Sequence, residues 1–524
     1  MTSINTALRI TPTYTPPPAA QAGNGGQASA NASSPSSNVT LGQDTRIPNA
    51  QTYSSRGALN GQASYAWEHD GNDRVSMALL GGVQSKSIAG RFHGVGAALL
   101  TQLASNGGQN ISQSVFASAN GSIQPGSEAL RLQQQRLRQD PENSVTLSLT
   151  TASGATVKLL LASDDNGLAV SAEVSEGTLS ANELTGLSAL ANAFQSSING
   201  LAEQPPRLQL GALAKLDPAL FTSLQMSAKF DVQGQPQRFD LSLDDKARSL
   251  SLEGPTGKVQ LNLDTRDSAL VGSASQRQAA VDNYLAQFDA AQQRGKGDKD
   301  LSNLFKDAFT QLNSVDEKPK PTLERSSSLN YKDRSLLSGL YDFNASISQT
   351  SSQPNPMRPD EIDRFDYKVS QSTKIWANDT LNRSVQQDSQ SSLKAAYHTG
   401  LNPLVDLNLS RDRKSQNYSF HEINDQASSS TRLAYKKGSL AEASATQQAS
   451  QSTRVRTYVD GELKTDLNTP TSVVRSRNLR SLLDNVFQQE NAAQRENRGS
   501  IIDAALKNQR SLWLLQGETS KIRA

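Results

Sequence analysis

The chain has 524 residues, enough for more than one domain. Only 35% are apolar and 5% aromatic, so part of the chain lacks the apolar surface needed to offset its ordering entropy. A net charge of +2, from 52 basic and 50 acidic residues, gives no global reason to expect nucleic acid or an anionic membrane as partner. The absence of cysteine excludes disulfides, thiolate metal sites, iron–sulfur clusters and cysteine nucleophiles. No apolar run of about 18 residues is present, so no transmembrane helix is expected. The N-terminus lacks the apolar core, roughly 7–15 residues long, of a secretory signal.

Residues 1–62 are rich in Ser, Thr, Pro, Asn, Gly and Gln, include Pro16-Pro17-Pro18, and carry almost no charge. That composition predicts a disordered tail. Its Ser/Thr/Ile/Pro-rich, weakly charged start resembles the uncleaved export signals of type III and flagellar secretion substrates. The resemblance implies export without a cleaved signal; the composition alone reads as an ordinary disordered tail.

Residues 63–140 read as a helical segment. Ile88, Phe92, Val95, Leu99 and Leu103 make a helical stripe. Gly94 and Gly96 interrupt it, so either they allow close packing against a neighbour or the helix begins after them. Glu128–Gln139 places Leu130 and Leu137 on one face and predicts a surface helix ended by Pro141.

Residues 141–315 carry the most regular pattern and read as a central α+β domain. Val145, Leu147 and Leu149 alternate with polar residues, as do Val157, Leu159 and Leu161, the period of half-buried strands. Asp164-Asp165-Asn166-Gly167 predicts a hairpin turn into Leu168, Val170, Ala172 and Val174. Ser180 and Glu183 have capping-box spacing ahead of a stripe through Leu187, Leu190, Phe194, Ile198 and Leu201. Pro205-Pro206 ends that helix. Alternating runs from Met226 to Leu263 predict an antiparallel meander with one buried face, because the links are too short for parallel crossovers. Val281, Tyr284, Leu285 and Phe288, then Leu301, Leu304, Phe305, Ala308, Phe309 and Leu312, predict two covering helices, with Asp300 as N-cap of the second.

Residues 316–325 hold Glu317-Lys318-Pro319-Lys320-Pro321 and read as a linker at a domain boundary. Residues 326–474 are Ser/Gln-rich with sparse alternation at Phe343/Ala345/Ile347, Phe365/Tyr367/Val369 and Tyr418/Phe420. They predict thinly packed strands, or partial disorder, with a hairpin turn at Asp460-Gly461. Residues 475–524 regain helical stripes through Leu479, Leu482, Leu483, Val486 and Phe487, then Ile501, Ile502, Ala505 and Leu506. Nine basic and five acidic residues give this end a net +4. Such helices either dock on their own domain or reach a partner groove or a membrane surface. The expected fold class is α+β: a central antiparallel sheet domain covered by amphipathic helices, between a disordered tail and a Ser/Gln-rich β-containing region ending in helices.

No motif carries a recognisable chemistry. His421-Glu422-Ile423-Asn424-Asp425 has Asp where the zinc motif H-E-x-x-H needs its second His, and its neighbours suggest a strand. Gly254-Pro255-Thr256-Gly257-Lys258 has two residues between its glycines where a phosphate loop needs four, so it reads as a hairpin turn. Gly94-Val95-Gly96 lacks the third glycine of a dinucleotide fingerprint. Asp164-Asp165 and Asp244-Asp245 read as turn residues, without the alternate acidic ligands of a calcium loop. Trp67-Glu68-His69-Asp70 clusters polar and aromatic residues without a nucleophile, and Ser391-Ser392-Leu393-Lys394 matches S-x-x-K without its companion motifs.

No catalytic, cofactor-binding or metal residues are assigned, and no cofactor is expected. The expectation is a non-enzymatic structural or interaction protein, surface-associated or exported without a cleaved signal, with a protein partner or self-association and no nucleic acid. The alternative is an enzyme or toxin-like effector whose site assembles only in three dimensions. A buried cluster of carboxylates or histidine favours the alternative; a smooth, solvated polar face favours the interaction protein.

Overall fold

The computed structural model describes residues 64–69, 71–118, 127–313, 329–377, 379 and 381–523. The predicted tail 1–62 and linker 316–325 lie outside them, as does Asp70.

The segment 63–140 holds two strands as well as helices. β1 (Ser64–Trp67) pairs with β2 (Ile111–Ser118), and between them lie α1 (Arg74–Val83), α2 (Ile88–Arg91) and α3 (Val95–Ser105). The stripe from Ile88 to Leu103 is divided at Gly94, which takes φ +74° as the N-cap of α3. Gly96, inside α3, gives the close approach that the other reading of the glycines requires. A Cβ there would lie 2.7 Å from Ile198 Cδ1. α4 (Glu128–Gln139) buries Leu130 and Leu137.

β3 (Asn143–Thr151), β4 (Thr156–Ser163) and β5 (Gly167–Ser175) follow as antiparallel neighbours. Asp164 Oδ1 accepts from the backbone N–H groups of Asn166 and Gly167, fixing the predicted turn. α5 (Ala181–Ala202) opens with the predicted capping box: Glu183 N donates to Ser180 Oγ, and Ser180 N to Glu183 Oε2 at 2.8 Å. The meander continues through β6 (Phe221–Val232), β7 (Gln235–Leu243), β8 (Ala247–Gly254) and β9 (Gly257–Asp264). α6 (Ala274–Gly295) and α7 (Lys299–Asn313) then cross the sheet. The capping acceptor of α7 is Asp298, whose Oδ1 takes the Leu301 N–H at 2.7 Å. Asp300 instead sits in the first turn.

The Ser/Gln-rich region adds β10 (Asp342–Gln349), β11 (Arg364–Ala377), β12 (Arg383–Gly400), β13 (Tyr418–Lys436), β14 (Ser439–Val459) and β15 (Glu462–Asn478). These join the same sheet, because β10 pairs with β9 from Asp342↔Asp264 to Gln349↔Gly257. Among the described residues the result is one 15-stranded sheet in the order β1-β2-β5-β4-β3-β6-β7-β8-β9-β10-β11-β12-β13-β14-β15. At a strand spacing of roughly 4.8 Å, a row across it runs on the order of 60 Å.

Its two faces differ in chemistry. One inner row reads Val170, Leu161, Val145, Ala228, Phe239, Leu252, Val259 and Ile347, each opposite the next. These residues bury against α3, α5, α6 and α7 in one continuous core. An outer row reads Glu173, Lys158, Ser148, Gln225, Ser242, Ser249, Asn262, Asn344, Ser370, Gln390, Ser428 and Gln448. All twelve are exposed or half-exposed. This division accounts for the low apolar content: every second residue of a long strand faces water. The C-terminal helices α8 (Arg480–Arg495), α9 (Ile502–Leu506) and α10 (Thr519–Arg523) complete the inner layer. Leu483, Val486, Phe487, Ile502, Leu506 and Trp513 bury against Val385, Leu433 and Ala443, so their stripes dock on their own sheet.

Candidate functional site

Two polar features share the outer face. The first is the open middle of the sheet. Gln260, Asn262, Ser346, Lys368, Gln390 and Ser428, among others, line a concavity of about 740 Å³ over β9 to β14. Most of the lining is hydroxyl or primary amide, offering donors and acceptors without net charge; Lys368 and the apolar Ala345, Val369 and Ala427 are the exceptions.

The second lies at one end of β12, β13 and β14. His398, Phe420 and Arg456 stand opposite one another, and Tyr418 stands opposite Tyr458 one step further along. The segment 350–363 folds over them. Its turn is set by Asn355 N donating to Glu361 O at 3.1 Å and Glu361 N donating to Arg358 O at 3.0 Å. Glu361 thereby becomes fully buried. Tyr418 Oη donates to Glu361 Oε2 at 2.5 Å and Tyr458 Oη to Oε1 at 2.8 Å. His398 Nδ1 lies 2.6 Å from Asp363 Oδ1, and its Nε2 lies 3.5 Å from Glu361 Oε2. Arg456 Nη1 reaches within 3.5 Å of Glu361, and Arg358 sits 3.9 Å above the Tyr458 ring.

The electrostatics follow from these contacts. Burial pushes the Glu361 carboxyl up, but its partners His398, Tyr418 and Tyr458 outweigh that and hold it below its ordinary value. Burial pushes His398 down, and Asp363 and Glu361 outweigh it, so the imidazole is raised. Burial and the adjacent carboxylate both push Tyr418 up. An Asp–His pair can orient an imidazole for proton transfer. Here the second ring nitrogen faces Glu361, whose two oxygens are already taken by tyrosines. The cluster pins the 350–363 segment to the sheet but leaves the buried His398 Nε2 and Arg456 Nε without a hydrogen-bond partner; solvent reaches it at Asp363, whose side chain is 36% exposed.

The residues singled out by sequence do not converge. His421 and Glu422 lie on β13 and point to opposite faces. His421 Nε2 meets Thr399 Oγ1 at 2.9 Å, Glu422 pairs with Arg456 on the outer side, and Asp425 pairs with Arg294 on the inner side. Ser391 and Lys394 also fall on opposite faces, of β12. Gly254 and Gly257 face each other across the β8–β9 hairpin. Asp244 Oδ1 accepts from Lys246 N and Ala247 N in the next turn. Glu68 is paired with Arg138, and His69 is exposed. Among the described residues, no group of three or more His, Asp or Glu is placed to hold a metal ion.

Sequence reasoning missed Glu361, His398, Tyr418 and Tyr458 as a set. The one local signal was the pair of aromatic positions near the ends of a long hairpin. Among the described residues no helix is long and apolar enough to cross a membrane. No family model, no curated protein and no solved structure matches this chain.

Proposed function

We propose that this protein is a non-enzymatic structural or interaction protein that works through the outer face of its sheet. The observation that carries this is the row from Ser148 to Gln448, polar and uncharged at every strand it crosses. A row of uncharged hydroxyls and amides recognises a partner by hydrogen bonding and shape rather than by long-range attraction, so its contacts depend little on salt. Surface association, or export without a cleaved signal, belongs to this reading through the composition of residues 1–62.

The test is capture of a partner, or self-association, by the full chain and by Gln390→Glu/Ser428→Glu/Gln448→Glu. Three carboxylates in one row repel each other and desolvate poorly against a neutral partner. The reading expects the interaction to disappear while circular dichroism stays unchanged. An interaction that survives the triple variant overturns the assignment to this face.

The second reading, an enzyme or toxin-like effector, draws on the His398–Asp363 pair and its solvent access at Asp363. His398→Gln would abolish an activity of that kind and leave the outer-face interaction intact.

A further inference from the structure

Each strand from β9 to β14 is paired on both sides, so none of them presents a free edge. A guest on their outer face therefore meets side chains alone. Two rows cross the concavity there. One reads Asn262, Asn344, Ser370, Gln390, Ser428 and Gln448, each opposite the next. The other reads Gln260, Ser346, Lys368, Ser392, Gln426 and Ser450. At roughly 4.8 Å per strand, each row runs about 24 Å. All of these side chains are exposed or half-exposed, so a guest can reach them.

Among the described residues, none of these side chains is hydrogen-bonded or ion-paired to another part of the protein. Elsewhere on the same face, neighbours do pair. Ser430 Oγ donates to Asp388 Oδ1 at 2.6 Å, and Gln386 Nε2 donates to the same oxygen at 3.0 Å. Ser452 Oγ donates to Asn468 Oδ1 at 3.1 Å, and Ser227 Oγ to Asp240 Oδ1 at 2.7 Å. Lys258 pairs with Glu253 at 3.3 Å. In the concavity, donors and acceptors stand side by side and stay open. All are uncharged apart from Lys368, whereas a solvated surface ordinarily carries roughly a quarter or more charged side chains.

We infer that this concavity binds an uncharged oligosaccharide chain laid across the strands; the inference rests on the outer-face reading and adds the chemistry of the partner. A sugar hydroxyl both donates and accepts, which matches the hydroxyls and primary amides of the two rows. A chain crossing the strands meets a new pair of side chains at each one. A polyanion, nucleic acid included, needs a row of cations, and Lys368 stands alone. An extended peptide adds at a sheet edge or sets its side chains into apolar pockets. Here no edge is free, and the apolar lining, Ala345, Val369 and Ala427, is buried. A globular protein anchors best on aromatic or arginine side chains, and neither row holds one. No ring in either row stacks on a sugar, so each unit contributes little. Affinity then comes from the number of strands engaged.

The full chain is titrated by calorimetry and saturation-transfer NMR with glucose, cellohexaose, maltohexaose and N-acetylchitohexaose. A heparin hexasaccharide and an acetylated, amidated Gly-Ser hexapeptide run alongside. At least one neutral hexaose should saturate below about 1 mM. Glucose should not, because a single unit engages one or two strands. Gln390→Ala/Gln426→Ala should weaken the hexaose by about tenfold or more, the scale of two lost hydrogen bonds, and leave the melting temperature unchanged. High salt should leave the affinity unchanged. The proposal falls if no neutral hexaose saturates, if glucose binds as tightly, if the double variant binds as the natural chain does, or if only heparin or the peptide binds. If no hexaose binds and Gln390→Glu/Ser428→Glu/Gln448→Glu still abolishes capture of a partner, the outer face keeps its role and only its saccharide chemistry is lost. If that capture survives as well, both readings are lost.

Discussion

Gly96 lies against Phe194 with no room for a side chain: a Cβ at Gly96 would sit 3.0 Å from Phe194 Cδ1, and Phe194 is fully buried. Two effects compete in Gly96→Ala. Helix propensity favours alanine by about 1 kcal/mol, and overpacking a closed core costs about 1–3 kcal/mol. Ile198 Cδ1 at 2.7 Å and Phe194 Cδ1 at 3.0 Å would both have to give way, so a net loss of roughly 1–2 kcal/mol is expected in denaturant melts of the full chain. Phe194→Ala should cost about 3–5 kcal/mol, and Ser196→Ala, half-exposed on the other side of α5, less than about 0.5 kcal/mol. The double variant Gly96→Ala/Phe194→Ala should lose less than the sum, because the cavity left by Phe194 accepts the new methyl. Strict additivity would show that α3 and α5 do not meet as described.

What was legible in the sequence was local. The Ser180/Glu183 capping box, the hairpin turn opened by Asp164 and the stripe through Phe194 each act within a few residues, and each stands where its local signal placed it, although Gly167 opens β5 rather than occupying the centre of the turn. β1 and β2 were hidden because they are short and Ser/Gln-interrupted, with buried Gln113 and Ser114 breaking the alternation. Asp298 displaced Asp300 as the α7 cap because capping depends on where the helix turns first, which composition leaves open by a residue or two. The β9–β10 pairing and the Glu361 cluster are non-local. Glu361, His398, Tyr418 and Tyr458 come from four separate segments; strand register joins the last three, and the turn of the 350–363 segment brings Glu361 to them.

The Glu361 cluster should give stability a maximum in mildly acidic solution. Glu361 is held below its ordinary 4.5, so its contribution is complete above pH 4.5 and is lost as pH falls through the lower, folded value. His398 is raised above its ordinary 6.5, so its contribution is complete below pH 6.5 and is lost as pH rises through the folded value. Both are present between pH 4.5 and 6.5. At Glu183, hydrogen bonds from Ser180 and Ser153 outweigh burial and bring it to about 2, which extends the loss on the acid side below pH 4.5. Thermal melts across pH should show His398→Gln flattening the alkaline limb and Glu361→Gln reducing the acid one. Glu361→Ala should cost about 3–5 kcal/mol, since it strips the buried partners of their acceptor. A melting profile for His398→Gln parallel to the natural one would sink the assignment.

The segments on either side of residues 316–325 share one core. Phe309 of α7 and Phe343 of β10 lie 5.1 Å apart between ring centroids, and Tyr284 Oη donates to Gln371 Oε1 at 3.2 Å and lies 3.1 Å from Ser389 Oγ. Coexpressed fragments 1–318 and 322–524 should therefore copurify as a one-to-one complex, each aggregating when made alone. Phe343→Ala should release them, with a loss of about 3–5 kcal/mol in the intact chain. Two soluble, non-associating fragments would support an independent domain boundary at Pro319–Pro321.

The last strand is guarded against its own geometry. β15 pairs with β14 along one side and is exposed on both faces, with Leu463, Leu467 and Val474 at 51%, 59% and 63%. A long edge of this kind offers free N–H and C=O groups to any passing strand. Pro470, opposite Ser452 near the middle of the strand, supplies no N–H. Lys464, exposed beside Glu462, brings charge to the same edge. Pro470→Val/Lys464→Val restores the donor, removes the charge and adds β-branched residues beside Leu463 and Leu467. Monomer stability should move by less than about 0.5 kcal/mol, because neither side chain is packed. Association should instead rise steeply with concentration in sedimentation velocity, ahead of the natural chain at every loading. Each single substitution should have a smaller effect than the pair, since either guard alone interrupts a new ladder. Equal sedimentation profiles for the double variant and the natural chain would mean that something other than Pro470 and Lys464 keeps this edge closed.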